Sequence, residues 1–341
     1  MRRRTFLAGL ALVGGAPLVR AGIPYSKPLL LPEALGTYRD ARRHGGPGKD
    51  GIPSIDTPRF WSVDEANAFL EAGDRVIGHY RGGVARAYPQ RILVWHEIVN
   101  DKIAGTPLAI TYCPLTGTAL AFERGDTELG VSGKLINSNL VMYDRATGSE
   151  YPQILGTGIS GPSAGKALKE HRVIWTTWER WRSRHPETRV LSTETGHIRS
   201  YRGDPYGGYN PRGGYYEEDS NRLFPVLNED GRFPPKHEIL GFRDRDHAVA
   251  VEPAVLADRG VVLHRGSNGD YAIVHDPELA TGWVFRGKSA PRVTPDNIVF
   301  AADGPRIPDH GDLEPVNAFE AMWFAWAAFY PGTEVIDAAP A

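Results

Sequence analysis

Trp178, Trp181, Pro186, Thr188 and Val190 reappear as Trp323, Trp326, Pro331, Thr333 and Val335, each shifted by 145 positions, and Leu168 falls on Leu313 by the same shift. A second register links their upstream neighbours: Gly78, Ala85, Ala87, Ala109, Ile110 and Pro114 recur as Gly241, Ala248, Ala250, Ala272, Ile273 and Pro277, each shifted by 163. Apolar and glycine matches arise readily by chance; tryptophan and proline at fixed offsets do not. Two offsets that differ by 18 predict an internal duplication whose second copy lost that many residues. The chain also carries 39 glycines and 27 prolines and few long helical patterns, so many short strands joined by turns are expected. The expected class is α+β and β-rich: two related lobes from the duplication, with short helices packed on mostly antiparallel sheets. Helices are expected over Val63 to Glu71, around Arg91 to Asn100, and in aromatic segments near Thr177 to Arg184 and Ala318 to Phe329.

The first residues, Met1-Arg2-Arg3-Arg4-Thr5-Phe6-Leu7, place paired arginines before an apolar run from Phe6 to Val13, the layout of a twin-arginine signal over residues 1–21. That run is too short to span about 30 Å of hydrocarbon. Val19-Arg20-Ala21 supplies small residues for cleavage, so a mature chain starting near Gly22 is expected, periplasmic or secreted and without stable membrane insertion. The twin-arginine export machinery is then an expected partner. Residues 22–49 read as an N-terminal extension, 50–195 as a first lobe, 196–236 as a Gly/Tyr-rich connection and 237–341 as a second lobe. The net charge of −2, with acids and bases interspersed, gives no basic stripe for nucleic acid.

Cys113 is the chain's only cysteine. An intramolecular disulfide is impossible, and in an oxidising compartment a free thiol needs burial, metal coordination or a use. It ends the apolar stretch Leu108 to Tyr112 and precedes Pro114-Leu115-Thr116-Gly117, so a strand-to-loop junction is expected. Cys-x-x-Thr lacks the second sulfur of an internal dithiol cycle. His96 lies in Val94 to Asp101, where a helix puts it on the face of Asn100; no second histidine follows at the zincin spacing. His96, Cys113 and Met142 make a soft ligand set that suits copper first, then zinc or iron. The run Val131 to Arg145, with Asn137, Asn139 and Asp144, has the polar density of a pocket wall. Gly203 to Tyr216, with Tyr206 and Tyr209, reads either as a lid over that site or as a linker. By the offset of 163, Cys113 falls on Asp276 and His96 on Arg259, so the candidate chemistry belongs to the first lobe and the second is expected to be structural.

The segments DGIPSIDTPRF, ARAYPQRILVWHEIVNDKIAGTPLAITYCPLTGTALAF, GVSGKLINSNLVMYDRATGS and DPYGGY together resemble a bacterial and archaeal family known as domain of unknown function 3179, over roughly Asp50 to Tyr209. The resemblance implies that His96, Cys113, Asn137, Met142, Asp144 and Gln153 belong to the family pattern. Many relatives carry a second cysteine where this chain has Thr116, so an obligatory two-thiol mechanism does not transfer. The leading expectation is an exported metal- or thiol-dependent redox enzyme with Cys113 and His96 catalytic or metal-bound. Asn137, Asn139, Asp144, Tyr206 and Tyr209 would meet an unidentified small molecule, and Glu97 would be a ligand or lie just behind the ligands. The alternative is a non-catalytic module that binds a ligand or partner and simply buries Cys113.

Overall fold

The structure is a computed structural model that describes residues 32–308 and 310–337; the expected signal over residues 1–21 lies outside them. It is β-rich, with few short helices and mostly antiparallel sheets, and its five larger sheets form a propeller-like arrangement of five blades. Blade 1 orders strands Ile174–Thr177, Arg75–Arg81, Val84–Pro89, Arg189–Leu191 and Phe60–Trp61. Blade 2 runs Lys169–His171, Thr118–Glu123, Thr106–Cys113, Ile98–Ile103, and blade 3 runs Arg43–His44, Leu129–Ile136, Asn139–Asp144, Glu150–Pro152. Blade 4 runs Ala318–Met322, Glu238–Asp244, His247–Val251, Glu334–Ile336; blade 5 runs Val261–Gly266, Gly269–Asp276, Thr281–Arg286, Glu314–Val316.

Shared apolar clusters close the ring. One joins Ile110 and Tyr112 of blade 2 to Ile77 and Tyr88 of blade 1. Another joins Phe122 of blade 2, Met142 of blade 3 and Phe319 of blade 4. A third joins Leu240 of blade 4 to Ile273 of blade 5, and Leu279 at the end of blade 5 packs with Trp178 against blade 1. These clusters cross the expected lobe boundary, since Cys113 and Leu115 share one with Ile239, Ala250 and Trp323.

Blades 1 and 4 have the same construction. In each, a hairpin pairs Gly78 with Ala87 or Gly241 with Ala250, and the last strand pairs parallel to the second hairpin strand. The helices Trp178–Arg184 and Trp323–Phe329 put one tryptophan on each glycine: an added Cβ would lie 2.2 Å from Trp181 at Gly78 and 2.3 Å from Trp326 at Gly241. Each indole then donates from Nε1 to a threonine hydroxyl seven residues on, Trp181 to Thr188 at 3.0 Å and Trp326 to Thr333 at 2.9 Å. Blades 2 and 5 correspond likewise, with Cys113 paired to Thr118 and Asp276 paired to Thr281. Blade 3 has no counterpart. Where it stands, residues 124–168 join two strands; 287–313, shorter by 18, join their equivalents.

Two expected helices differ from the fold. Around Arg91 to Asn100 only Gln90–Leu93 is helical, and Ile98–Ile103 is a strand paired with Thr106–Cys113, so His96 and Asn100 do not share a helix face. Ala318 to Phe329 begins as a strand paired with Glu238–Asp244 and becomes helical only at Trp323. The segment Val63–Asn67 is a short helix with a capping box, Ser62 accepting from the Glu65 amide and Glu65 returning to the Ser62 amide. Gly203 to Tyr216 is not wholly irregular: Gly207–Tyr209 and Arg212–Gly214 form a hairpin. Among the described residues, no helix is long and apolar enough to cross a membrane.

Candidate functional site

Cys113 is the last residue of a buried strand, and the chain turns immediately after it through Gly117 in a left-handed conformation (φ 61°). Its Sγ accepts the Leu140 amide at 3.3 Å and faces the Ser138 carbonyl at 3.8 Å, so the sulfur bridges blade 2 and the hairpin of blade 3. The side chain is 1% exposed. Burial pushes the thiol up to about 12, with the charge of Glu97 adding to the rise, while hydrogen bonds from Thr116 and Leu140 oppose it.

Glu97 is the second member of this site. It is buried, and its carboxyl makes no hydrogen bond or ion pair with any described residue. Burial raises it to about 8. The two groups titrate in order: Glu97 loses its proton first, before the thiol has any charge to oppose it, and its carboxylate then resists ionisation of Cys113. Glu97 also sits at φ 57°, a left-handed conformation that costs an ordinary residue on the order of 1–3 kcal/mol. In blade 5 the equivalent position is Gly260, at φ 69°, for which that conformation is open. The surrounding backbone matches: the Glu97 amide donates to Leu93 and its carbonyl accepts from Tyr112, while the Gly260 amide donates to Leu256 and its carbonyl accepts from His275.

The Gly/Tyr-rich connection covers this pair. Tyr206 is raised to about 12 by burial first and then by Glu97 and Cys113, and Tyr215 is raised by burial and by Cys113. The Tyr215 hydroxyl donates to the Leu115 carbonyl at 2.8 Å. Tyr209 stacks on Tyr216 at 4.1 Å, meets Trp175 edge-on, and accepts from the Tyr112 hydroxyl at 3.3 Å. Gln90 fastens the segment by donating to Asp204 at 2.7 Å, and the Tyr216 hydroxyl donates to the same carboxylate at 3.0 Å.

The other residues singled out from sequence have identifiable partners. His96 is fully buried; Nδ1 meets the Pro53 carbonyl at 2.7 Å and Nε2 the Tyr201 hydroxyl at 2.7 Å, and no hydrogen bond joins it to Cys113. Burial lowers it to about 4, so it is neutral. Met142 lies in the centre of blade 3, paired with Val131 and Tyr151. Asn137 accepts the Leu227 amide at 2.8 Å and donates to the Ala328 carbonyl. Asn139 donates to Thr116 and Gln153 and accepts the Ile154 amide, a buried network that also holds Thr118. Asp144 caps its own turn by accepting from the amide and hydroxyl of Thr147. Tyr206 thus lies near Cys113, Tyr209 meets Tyr112, Trp175 and Tyr216, and Asn137, Asn139 and Asp144 tie the framework together. Glu97 stood one residue from His96 in the sequence, and the signal that singles it out is a carboxylic acid where the matching register has Gly260.

These observations define a propeller-like protein of five blades that buries a thiol and a carboxyl beside a tyrosine-rich segment. The chain belongs to the family described as protein of unknown function (DUF3179), whose family model matches residues 49–333. No curated protein and no solved structure is matched by the chain.

Proposed function

We propose that the protein is an exported thiol-dependent enzyme in which Cys113 is the nucleophile and Glu97 the base that takes its proton. The observation that carries this reading is the buried, partnerless carboxyl of Glu97, poised near pH 8 and held in a conformation that glycine would adopt at less cost. In the closed state the thiol is protonated and inert. Opening of the Tyr206 and Tyr215 cover would hydrate the sulfur and lower the thiol while Glu97 stays enclosed behind it, and let the thiol proton pass to the Glu97 carboxylate as sulfur attacks. In a redox version the thiolate attacks a substrate disulfide, forms a mixed disulfide and expels the other sulfur as a thiol. An external thiol must then release Cys113, because the chain has no second cysteine. A metal held by Cys113, His96 and Met142 is a less supported form, since His96 must give up one of its two hydrogen bonds. Export rests on the twin-arginine pattern of residues 1–21. The matched registers, blade order and tryptophan-glycine contacts of blades 1 and 4 support descent of the two lobes from one duplicated unit.

A second reading, a binding module with a structural cysteine, is favoured by the near-complete burial of Sγ. Alkylation of the folded protein separates the two. On the enzyme reading, the rate rises through about pH 8 and Glu97→Gln lowers it by about tenfold or more. If both proteins label at one rate, and only as denaturant opens them, Cys113 is structural.

A further inference from the structure

The second lobe carries a cluster that the thiol site does not use. His247 begins the second strand of blade 4, Glu334 lies on the strand that pairs parallel to it, and His264 lies on the first strand of blade 5. Their ligand atoms all fall within 4.8 Å of one another. Nε2 of His247 is 3.0 Å from Nε2 of His264, and Glu334 oxygens lie 3.5 Å from His264 Nε2 and 3.5 Å from His247 Nδ1. A four-coordinate ion with bonds of about 2.0–2.2 Å holds its ligand atoms about 3.3 Å apart; the Nε2 pair at 3.0 Å and the His264–Glu334 contact at 3.5 Å are near that, and with one nitrogen taken from each histidine all three ligand atoms lie within 4.8 Å, so a small rotation of the Glu334 side chain completes the set. The surroundings hold the imidazoles in place. The rings are parallel within 7°, Tyr271 lies beside both, and its hydroxyl is fixed by Asp244 at 3.1 Å. A Cβ at Gly266 would lie 2.3 Å from Nε2 of His247, so only glycine leaves room for that nitrogen. Both histidines are largely buried, while Glu334 is about half exposed and gives solvent access. By the two offsets, these positions fall on Val84, Asp101 and Arg189 in the first lobe, which carry no such ligand set.

We propose that His247, His264 and Glu334 form a divalent transition-metal site, with zinc the favoured ion and a fourth position open to water. Two imidazoles and one carboxylate are a ligand set used by zinc sites that retain an exchangeable position. The site is independent of Cys113.

The test is equilibrium titration of the metal-stripped mature protein with Zn²⁺ against a chromophoric chelator, with Co²⁺ absorption as the second readout. One equivalent should bind, with a tetrahedral Co²⁺ spectrum free of thiolate charge transfer. Glu334→Gln should weaken binding about tenfold or more, His264→Ala should abolish it, and Cys113→Ala should leave it unchanged. Glu334 is exposed enough that its variant tests the site even if His264→Ala fails to fold. Absence of stoichiometric binding, indifference to Glu334→Gln, or loss of binding with Cys113→Ala would each overturn the assignment, and the last alone would also move metal to the thiol site.

Discussion

Cys113 and Asp276 end equivalent strands, yet their surroundings treat a buried polar side chain in opposite ways. Asp276 is fully buried and satisfied: it pairs with Arg184 at 3.0 Å and accepts the amides of Glu278 and Leu279. Cys113 has a weak donor nest and, nearby, the Glu97 carboxyl, which makes no hydrogen bond or ion pair among the described residues. One residue before the first strand of each blade's hairpin, blade 5 relaxes a left-handed backbone with Gly260 and blade 2 loads it with Glu97. A scaffold that can accept glycine there but carries a buried acid has given up stability at that point, a pattern expected of functional sites and not of packing. The pair His247 and His264 sits at a different edge, between blades 4 and 5.

The largest expected effect sharpens the contrast at the strand ends. Asp276→Ala should cost about 3–5 kcal/mol by removing one of the two carboxylates on Arg184, which keeps Glu278, and by leaving the amides of Glu278 and Leu279 without their acceptor, whereas Cys113→Ala should cost only about 1 kcal/mol, read from urea unfolding. Equal losses would break the distinction.

The next concerns pH. Folded Glu97 holds its proton to about pH 8, while an unfolded glutamate releases it near 4.5. Between those values the folded state binds the extra proton, so the Glu97 contribution falls as pH rises through that window and is fully unfavourable above it, on the order of a few kcal/mol. Burial lowers His79, His96 and His185 to about 4, so their contributions run the other way, lost as pH falls from about 6.5. Urea midpoints for Glu97→Gln should lack the decline toward pH 8 and keep the acid loss. An unchanged alkaline slope would refute the carboxyl's assignment.

Gly78→Ala and Gly241→Ala probe what blades 1 and 4 share. Each Cβ meets a tryptophan ring, and each should cost about 1–3 kcal/mol and by similar amounts. Tolerance of one alone would undo the equivalence of blades 1 and 4.

Much of this framework was legible, because tryptophan, proline and glycine at fixed offsets report packing that tolerates little else. Trp181 needs Gly78, and Trp326 needs Gly241, and both pairs were visible as register matches. The strand Ile98–Ile103 was misread as helix because Ile92, Trp95 and Val99 follow a helical spacing, while its true partner, Thr106–Cys113, is a tertiary fact. Ala318–Met322 was misread for the same reason: alanine and methionine favour helices in isolation, and pairing with Glu238–Asp244 overrides them. The closure of five sheets into a ring leaves no local mark. Within the site, Cys113 and the tyrosine cover could be read from scarcity and composition. Glu97 could not be singled out beside His96, since burial of a carboxyl without a partner appears only once three dimensions are known. The His247, His264 and Glu334 cluster escaped because strand pairing, not sequence spacing, brings it together.

The smallest predicted effect bears most directly on the central claim that Glu97 is retained for chemistry against stability. Glu97→Gly should fold to a protein about 1 kcal/mol more stable than the parent by urea unfolding at pH 4.5, where ionisation of the carboxyl contributes little and relief of the backbone remains, with alkylation of Cys113 slowed at pH 8. A variant less stable than the parent, labelled at the parental rate, would show instead that Glu97 supports the fold and that Cys113 needs no base.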